Sequence, residues 1–482
     1  MSGRAQNAVA SLGVLPPEIL LPIVTSLPGL DTLWSLMTAS PNVWRLFNNY
    51  AHTITEGILS GPNSILYGKI RELVRGVILV RAKTLPFKDL NEFRNRFLRG
   101  VNPLTVHYGA EYIYLGPEIL SAAIVPTEVF RSVVATACQI SALSQGCLAS
   151  YLAPFRDIRP LHTSDSRPYS HDHDHDHDPD SCRTPAWELE IVGKPHKVVD
   201  AGQPSWREEM RALRAMWIIQ LVGEMKGLVK EGWSEEDIDT LKQMDAADLV
   251  ERPDNRVIKA EEVGCAMDYL RTLRDAIQND YYRLPMPPLV TKSNRWITAE
   301  QKAAGFIMTV VEYCQNGKFF KVQKGEPIPE DSEPAKVPFP DEGMEWMKEE
   351  APLNKVSCGM TIWRALSRDR YSPVKGVKFD SFRRLGFAFW DKARLHLAGL
   401  TNGISKPFYP DQFYFFALES ILPADEVANI KAELRLPDLI PLPPAPPLPA
   451  SSASLAAQRS TLSLSSVPLP VHTPDSPPAP PS

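Results

Sequence analysis

The stretch from Ser205 to Leu228 constrains the fold more than any other part of this chain. Trp206, Met210, Leu213, Trp217, Leu221, Met225 and Leu228 follow one another at spacings of three and four, the period of one helical face. Ser205-Trp206-Arg207-Glu208 fits the S-x-x-E capping box that opens a helix. A seam this long and this rich in bulky side chains has to be covered, and such stripes are more often core than a grip for a partner helix. Further helical patterns surround it. Ile70, Leu73, Val74, Val77 and Ile78 form a stripe among Lys69, Arg71, Glu72 and Arg75. Others run from Thr127 to Leu143 and near 257–280, 299–315, 359–368 and 423–434, while residues 379–399 mix aromatics with arginines. Few stretches alternate with period two, so little sheet is expected. The fold class implied is mainly all-α.

The chain has 482 residues, 44% of them hydrophobic, enough to bury a core over most of its length. The formal net charge of -5 leaves no basic surplus and argues against a nucleic-acid partner. Six cysteines without a C-x-x-C pair suit neither a zinc knuckle nor a disulfide scaffold, which points to a reducing, cytoplasmic or nuclear setting. No signal peptide and no run of about 18 apolar residues is read, so no membrane association is expected. Between about 156 and 186 the chain turns polar and carries HDHDHDHD, His171 to Asp178. Such a tract could bind zinc or nickel loosely, but the composition favours a solvated loop, and no metal site is assigned. From Pro437 onward fourteen prolines fall in 46 residues, with serine and alanine filling most of the rest. A segment of that composition is expected to be disordered, with Pro441 to Pro444 a PxxP pattern.

Residues 12–60 form a separate pattern. Leu15 precedes Pro16 and Pro17; then Ile19, Leu20, Ile23, Val24 and Leu27 recur at helical spacing until Pro28-Gly29. Leu30, Leu33, Trp34 and Met37 suggest a second short helix. Ser40-Pro41 opens a third, carrying Val43, Trp44, Leu46 and Phe47. Three short helices cannot cover this much apolar surface, so part of it should meet a partner or the rest of the chain.

In its residues this unit resembles the F-box: Leu15-Pro16, Glu18-Ile19-Leu20, Leu27-Pro28, then Leu30 and Leu33. ASPNVWRLF, from Ala39 to Phe47, is similar to the form seen in filamentous fungi. So are SWREEMRALRAMWIIQL from Ser205 and RRLGFAFWDKARLHLAGL from Arg383 to Leu400. The resemblance implies a three-helix F-box at 12–60, a large irregular helical region at 61–435 on the substrate side, and the Pro/Ser/Ala-rich tail at 436–482. It also implies a Skp-type adaptor as partner and, through it, a cullin. The chain would be a non-catalytic receptor that holds an unknown protein substrate near a ubiquitin-conjugating enzyme, with proximity rather than bond chemistry as its contribution. Carried over by position, the adaptor contacts would be Leu15, Pro16, Ile19, Leu20, Ile23, Leu27, Leu30, Leu33, Trp34, Val43 and Trp44. Alternatively, the same helices complete the chain's own fold and it serves as an F-box-like scaffold outside any ligase. Pro22 departs from the pattern: either the first helix kinks there, or it starts so late that Pro22 lies in its first turn.

No catalytic motif stands out. Asp391 and Arg394, one helical turn apart, read as a structural ion pair rather than a catalytic one. Gly227 and Gly232 have P-loop spacing, but Trp233 stands where a lysine must meet phosphate. No G-x-S-x-G, H-E-x-x-H or G-x-G-x-x-G occurs, and no cofactor is implied.

Overall fold

The long helix opened by Ser205 lies at the centre of the packing. It is α7, Trp206–Leu228, in a computed structural model that describes residues 15–99, 112–163, 193–195, 198, 200–228, 232–251, 258–273, 284, 310–315, 318–323, 333–334, 357–368, 376–400 and 420–434. The polar tract at 171–178 and the tail from 435 lie outside the described residues. By its contacts the chain divides into 1–430 and 431–482, and the buried core belongs to the first unit.

Three helices lead in: α1 (Pro17–Thr25), α2 (Leu30–Ala39) and α3 (Pro41–Ser60). Then come α4 (Gly68–Arg81), a π-helical turn at Glu92–Leu98, α5 (Glu118–Ala122) and the thirty-residue α6 (Thr127–Arg156). After α7 follow α8 (Glu235–Gln243), α9 (Ala246–Val250) and α10 (Ile258–Thr272). The C-terminal part adds α11 (Cys358–Arg368), α12 (Asp380–Arg383), α13 (Lys392–Leu397) and α14 (Ala424–Leu434). The chain is mainly all-α.

Strand pairing is slight. Leu161–Thr163 pairs antiparallel with Gly193–Pro195, and a three-stranded patch has Val310–Gln315 between Lys318–Gln323 and Glu333–Pro334. The helix expected to reach residue 315 is therefore overturned at 310–315. The sequence had a signal there: Gln315 pairs with Lys318, leaving only Asn316-Gly317 between the strands, a dipeptide that favours two-residue hairpins.

The seam of α7 lies in the core, with Met210, Trp217, Leu221 and Met225 buried. Burial extends beyond the seam, because Glu208, Glu209, Arg211, Arg214 and Gln220 are also enclosed. Helices α4, α6 and α10 pack against it. By length and composition alone α6 could cross a membrane, but its apolar residues Val133, Ile140, Leu143 and Leu148 are buried and it packs on α2, α3, α4, α7 and α10.

Segment 376–400 docks on this centre through aromatic rings. Phe389 meets Tyr151, and Phe387 and Trp390 both meet Phe155. Gly386 makes the turn at φ 74°, where a Cβ would stand 2.7 Å from the Tyr151 side chain and 2.8 Å from the Trp390 ring. Charge completes the docking. Arg394 donates to Glu208 (Nη2 to Oε2, 2.8 Å), and Arg211 donates to Asp391 Oδ1 at 2.7 Å. The expected Asp391–Arg394 pair within one helical turn is thus corrected, since each takes a partner on α7. Both partners are buried and point away from water, so the nearest counter-charges come from another element.

Candidate partner-docking site

Helix α1 begins where two prolines allow it to. Pro16 is extended, its carbonyl accepts the amides of Ile19 and Leu20 at 3.0 Å each, and Pro17 occupies the first helical position. The helix then runs through Pro22 to Thr25. Pro22 lies in the second turn, so the late-start alternative is excluded. The missing amide leaves the Glu18 carbonyl without its helical donor, but Glu18 and Pro22 are both exposed and solvent can reach that carbonyl. The lost hydrogen bond falls on the side of α1 where it costs least.

That side divides the predicted contact residues. Leu20 and Val24 face inward, 2% and 0% exposed. Pro16, Ile19, Pro22 and Ile23 face outward, with Ile19 at 53% and Ile23 at 41%. The inner side settles on α3, whose Gly57 permits close approach: a Cβ there would stand 3.0 Å from the Thr25 Cβ. Leu30, Leu33 and Val43 are buried with Leu20. These four can meet a partner only by leaving the core, because α2 lies along α6 and their side chains fill the space between helices. Leu15, Leu27, Trp34 and Trp44 are half-buried. The two tryptophan rings lie 6.4 Å apart, tilted by 58°. The Arg131 guanidinium of α6 stands 5.0 Å from the Trp44 ring and donates to Asn48 Oδ1 at 2.7 Å.

Other tethers fix the three helices to the body. Ile65 N donates to the Pro28 carbonyl at 3.0 Å, and Trp206 Nε1 to the Ile65 carbonyl at 3.0 Å. Arg75 of α4 donates to Glu56 of α3 at 2.5 Å. The helix of Pro41 is longer than the sequence pattern suggested; it bends at Tyr50, whose φ of -130° and ψ of 31° leave the helical region, and then continues to Ser60. The Tyr50 side chain is itself 44% exposed, an aromatic on the surface that periodicity alone does not single out.

Among the described residues, several ionisable groups are held by their neighbours. Lys69 on α4 donates to the Phe97 carbonyl and the Tyr112 hydroxyl, each at 2.8 Å, and to Glu72 at 3.3 Å. Burial, opposed by the Glu72 carboxylate, lowers its pKa to about 8. Cys147 and Cys265 are buried, and burial pushes both thiols up, the reverse of what a nucleophilic thiolate requires. Among the described residues no group of three His, Cys, Asp or Glu side chains is gathered as for a metal ion. Asp391 and Arg394 lie inside the ionic cluster with α7, where both satisfy buried partners. Comparison with protein-family models, with curated proteins and with solved structures finds no match to this chain.

Proposed function

We propose that this chain is an F-box-type receptor that binds a Skp-type adaptor through its N-terminal helices and so brings a protein substrate to a cullin-RING ubiquitin ligase. The observation that carries the reading is the outward stripe of α1: Pro16, Ile19, Pro22 and Ile23 lie together on a helix whose inner side is already packed. An open apolar stripe, in a three-helix unit that also leaves two tryptophans half-buried, has the composition of an interface centre. The adaptor would then cover α1 and the rim made by Leu15, Leu27, Trp34 and Trp44, in the cytoplasm or nucleus. Catalysis would lie with the conjugating enzyme, and the receptor's contribution would be effective concentration.

The decisive measurement is titration of purified adaptor into the full chain. Covering the remaining exposed part of two isoleucines is worth about 2 kcal/mol, roughly thirtyfold in affinity. I19D/I23D should therefore lose at least that while its melting temperature stays put, since neither side chain holds the core. Adaptor binding unchanged by I19D/I23D, or a folded wild-type chain that binds no adaptor, overturns the ligase reading. The second reading, a scaffold that uses these helices for its own fold, draws on the burial of Leu20, Leu30, Leu33 and Val43. It gains if the wild type is folded and fails to bind.

A further inference from the structure

We infer that the groove formed by α7, α8, α9 and α10 is a peptide-docking site for a segment carrying an apolar anchor next to lysine or arginine. One half of the groove is a cavity of about 360 Å³ lined by Ile219, Val222, Met244, Ala246 and Met267, with Gly223 contributing backbone. Its size falls at the lower end of the roughly 300–1,000 Å³ typical of ligand pockets, and its wall is of the apolar kind such pockets favour. Methionine suits a wall that has to adapt to an incoming side chain. Of the two lysines at its edge, Lys226 is already engaged: it donates to the Met244 carbonyl at 2.6 Å and the Lys242 carbonyl at 3.4 Å, capping the end of α8. The cavity therefore offers hydrophobic contact with no free cation among the described residues that line it, apart from exposed Lys242, which pairs with Asp239.

The other half gives the partner its charge. Asp245 and Met267 also line an adjoining cleft of about 240 Å³. Arg383 there is neutralised by Glu261 (2.6 Å), Asp380 (3.1 Å) and Asp268 (3.7 Å), and Arg271 by Asp268 (2.5 Å). Asp245, Asp248 and Glu251 follow, three residues apart along α9 and its C-terminal cap. The Lys226 ammonium interacts with the first two, and Arg94 donates to the Asp248 carbonyl at 3.3 Å, so three carboxylates face two cations and the edge keeps a net negative charge among the described residues. Asp245 and Asp248 accept each other's backbone amides, which fixes both carboxylates in place. An apolar hole that opens onto a fixed negative edge is complementary to a peptide with an apolar side chain followed by basic ones, and it repels acidic chains, nucleic acids included. Under the receptor reading this is where a substrate would be gripped. The peptide experiment needs no adaptor, so its failure and the failure of adaptor capture are separate results.

The test uses the full-length chain and fluorescence anisotropy with three pools of short labelled peptides. Their fixed centres are Leu-Arg-Arg, Ser-Arg-Arg and Leu-Glu-Glu, and the other positions vary among Ala, Gly and Ser. The Leu-Arg-Arg pool should bind, and each of the other pools should bind at least roughly tenfold more weakly. A246L, which fills the cavity, and D248N/E251Q, which leaves the fold intact because both side chains are exposed, should each reproduce that loss. Raising the salt to about 0.5 M should weaken the wild type and leave D248N/E251Q nearly unaffected. Equal binding of all pools, no binding of the Leu-Arg-Arg pool, or full binding by D248N/E251Q overturns the proposal.

Discussion

Removing Arg394 should cost more than removing any surface charge in this chain, and the loss should be recoverable by a second substitution. Arg394 is 4% exposed and Glu208 1%. The guanidinium donates through Nε (3.0 Å) and Nη2 (2.8 Å) to Glu208, through Nη1 to the Gly202 carbonyl (3.2 Å), and again through Nη2 to the Gln203 carbonyl (3.0 Å). Arg394→Met keeps most of the volume above the Trp390 ring and leaves Glu208 a buried carboxylate without its counter-ion. Breaking a buried pair from one side costs about 3–5 kcal/mol, whereas replacing both partners costs far less. The backbone amides of Ser205 and Asp391 donate to different oxygens of that carboxylate, at 2.8 and 3.0 Å, so Glu208→Gln in the same chain removes the buried charge and keeps an oxygen acceptor for one of the two. E208Q/R394M should therefore recover about 2 kcal/mol or more over the sum of the single losses.

The deficit of R394M should also depend on pH. Burial already raises the Glu208 carboxyl above the ordinary carboxylate range, with Arg394 opposing that rise. Without Arg394 the carboxyl goes higher still. A folded state that holds a proton more tightly than the unfolded chain gains stability as pH falls, so the R394M deficit should shrink between pH 8 and pH 5. The assay is urea unfolding followed by far-ultraviolet circular dichroism and tryptophan fluorescence, at both pH values, on the two single variants and the double. A single-variant loss below about 1 kcal/mol, or strictly additive losses, would refute the reasoning.

Three further outcomes are expected. Lys69 titrates near 8 in the folded chain and near 10.5 in the unfolded one, so from pH 8 upward the unfolded chain holds more protons. Wild-type stability should then rise relative to K69M by about 1 kcal/mol per unit between pH 8 and 10; a flat difference in paired unfolding curves would contradict this. G359A should be severely destabilised, because a Cβ there would lie 2.2 Å from the Phe387 carbonyl oxygen, which belongs to backbone and cannot turn aside. G386A should lose about 2 kcal/mol or more from its left-handed φ together with the Trp390 and Tyr151 contacts, and a melting temperature equal to wild type in either variant would show that the segment relaxes freely.

The sequence announced α7 well. Its S-x-x-E box is realised with Glu208 N donating to Ser205 Oγ at 3.2 Å and Ser205 N to Glu208 Oε2 at 2.8 Å. The stripes of α4, α6 and α10 and the short helices at 358–368 and 424–434 were also legible, because periodicity is a local property. Two things were not local. Glu208 looked like a capping residue and nothing else, yet the same carboxylate holds Arg394, 186 positions away. Asp391 and Arg394 looked like each other's neighbours, since spacing alone cannot reveal a buried partner from a distant helix. The candidate docking stripe was half legible: apolarity marked Ile19, Leu20, Ile23, Leu30, Leu33 and Val43 alike. Only the packing of α1 on α3 and of α2 on α6 separates those enclosed from those facing water.

The ionic joint between α7 and segment 391–394 also sets an order of events during synthesis. When α7 leaves the ribosome it carries Glu208, Arg211 and Arg214, charges meant for an interior, and the counter-ions for the first two are encoded more than 180 residues later or at that distance. Until those residues emerge, the middle of the protein cannot close, and its greasy face waits unshielded beside charges with nowhere dry to go. A nascent chain halted before residue 391 should therefore be a client of holding chaperones, while one halted past residue 400 should not.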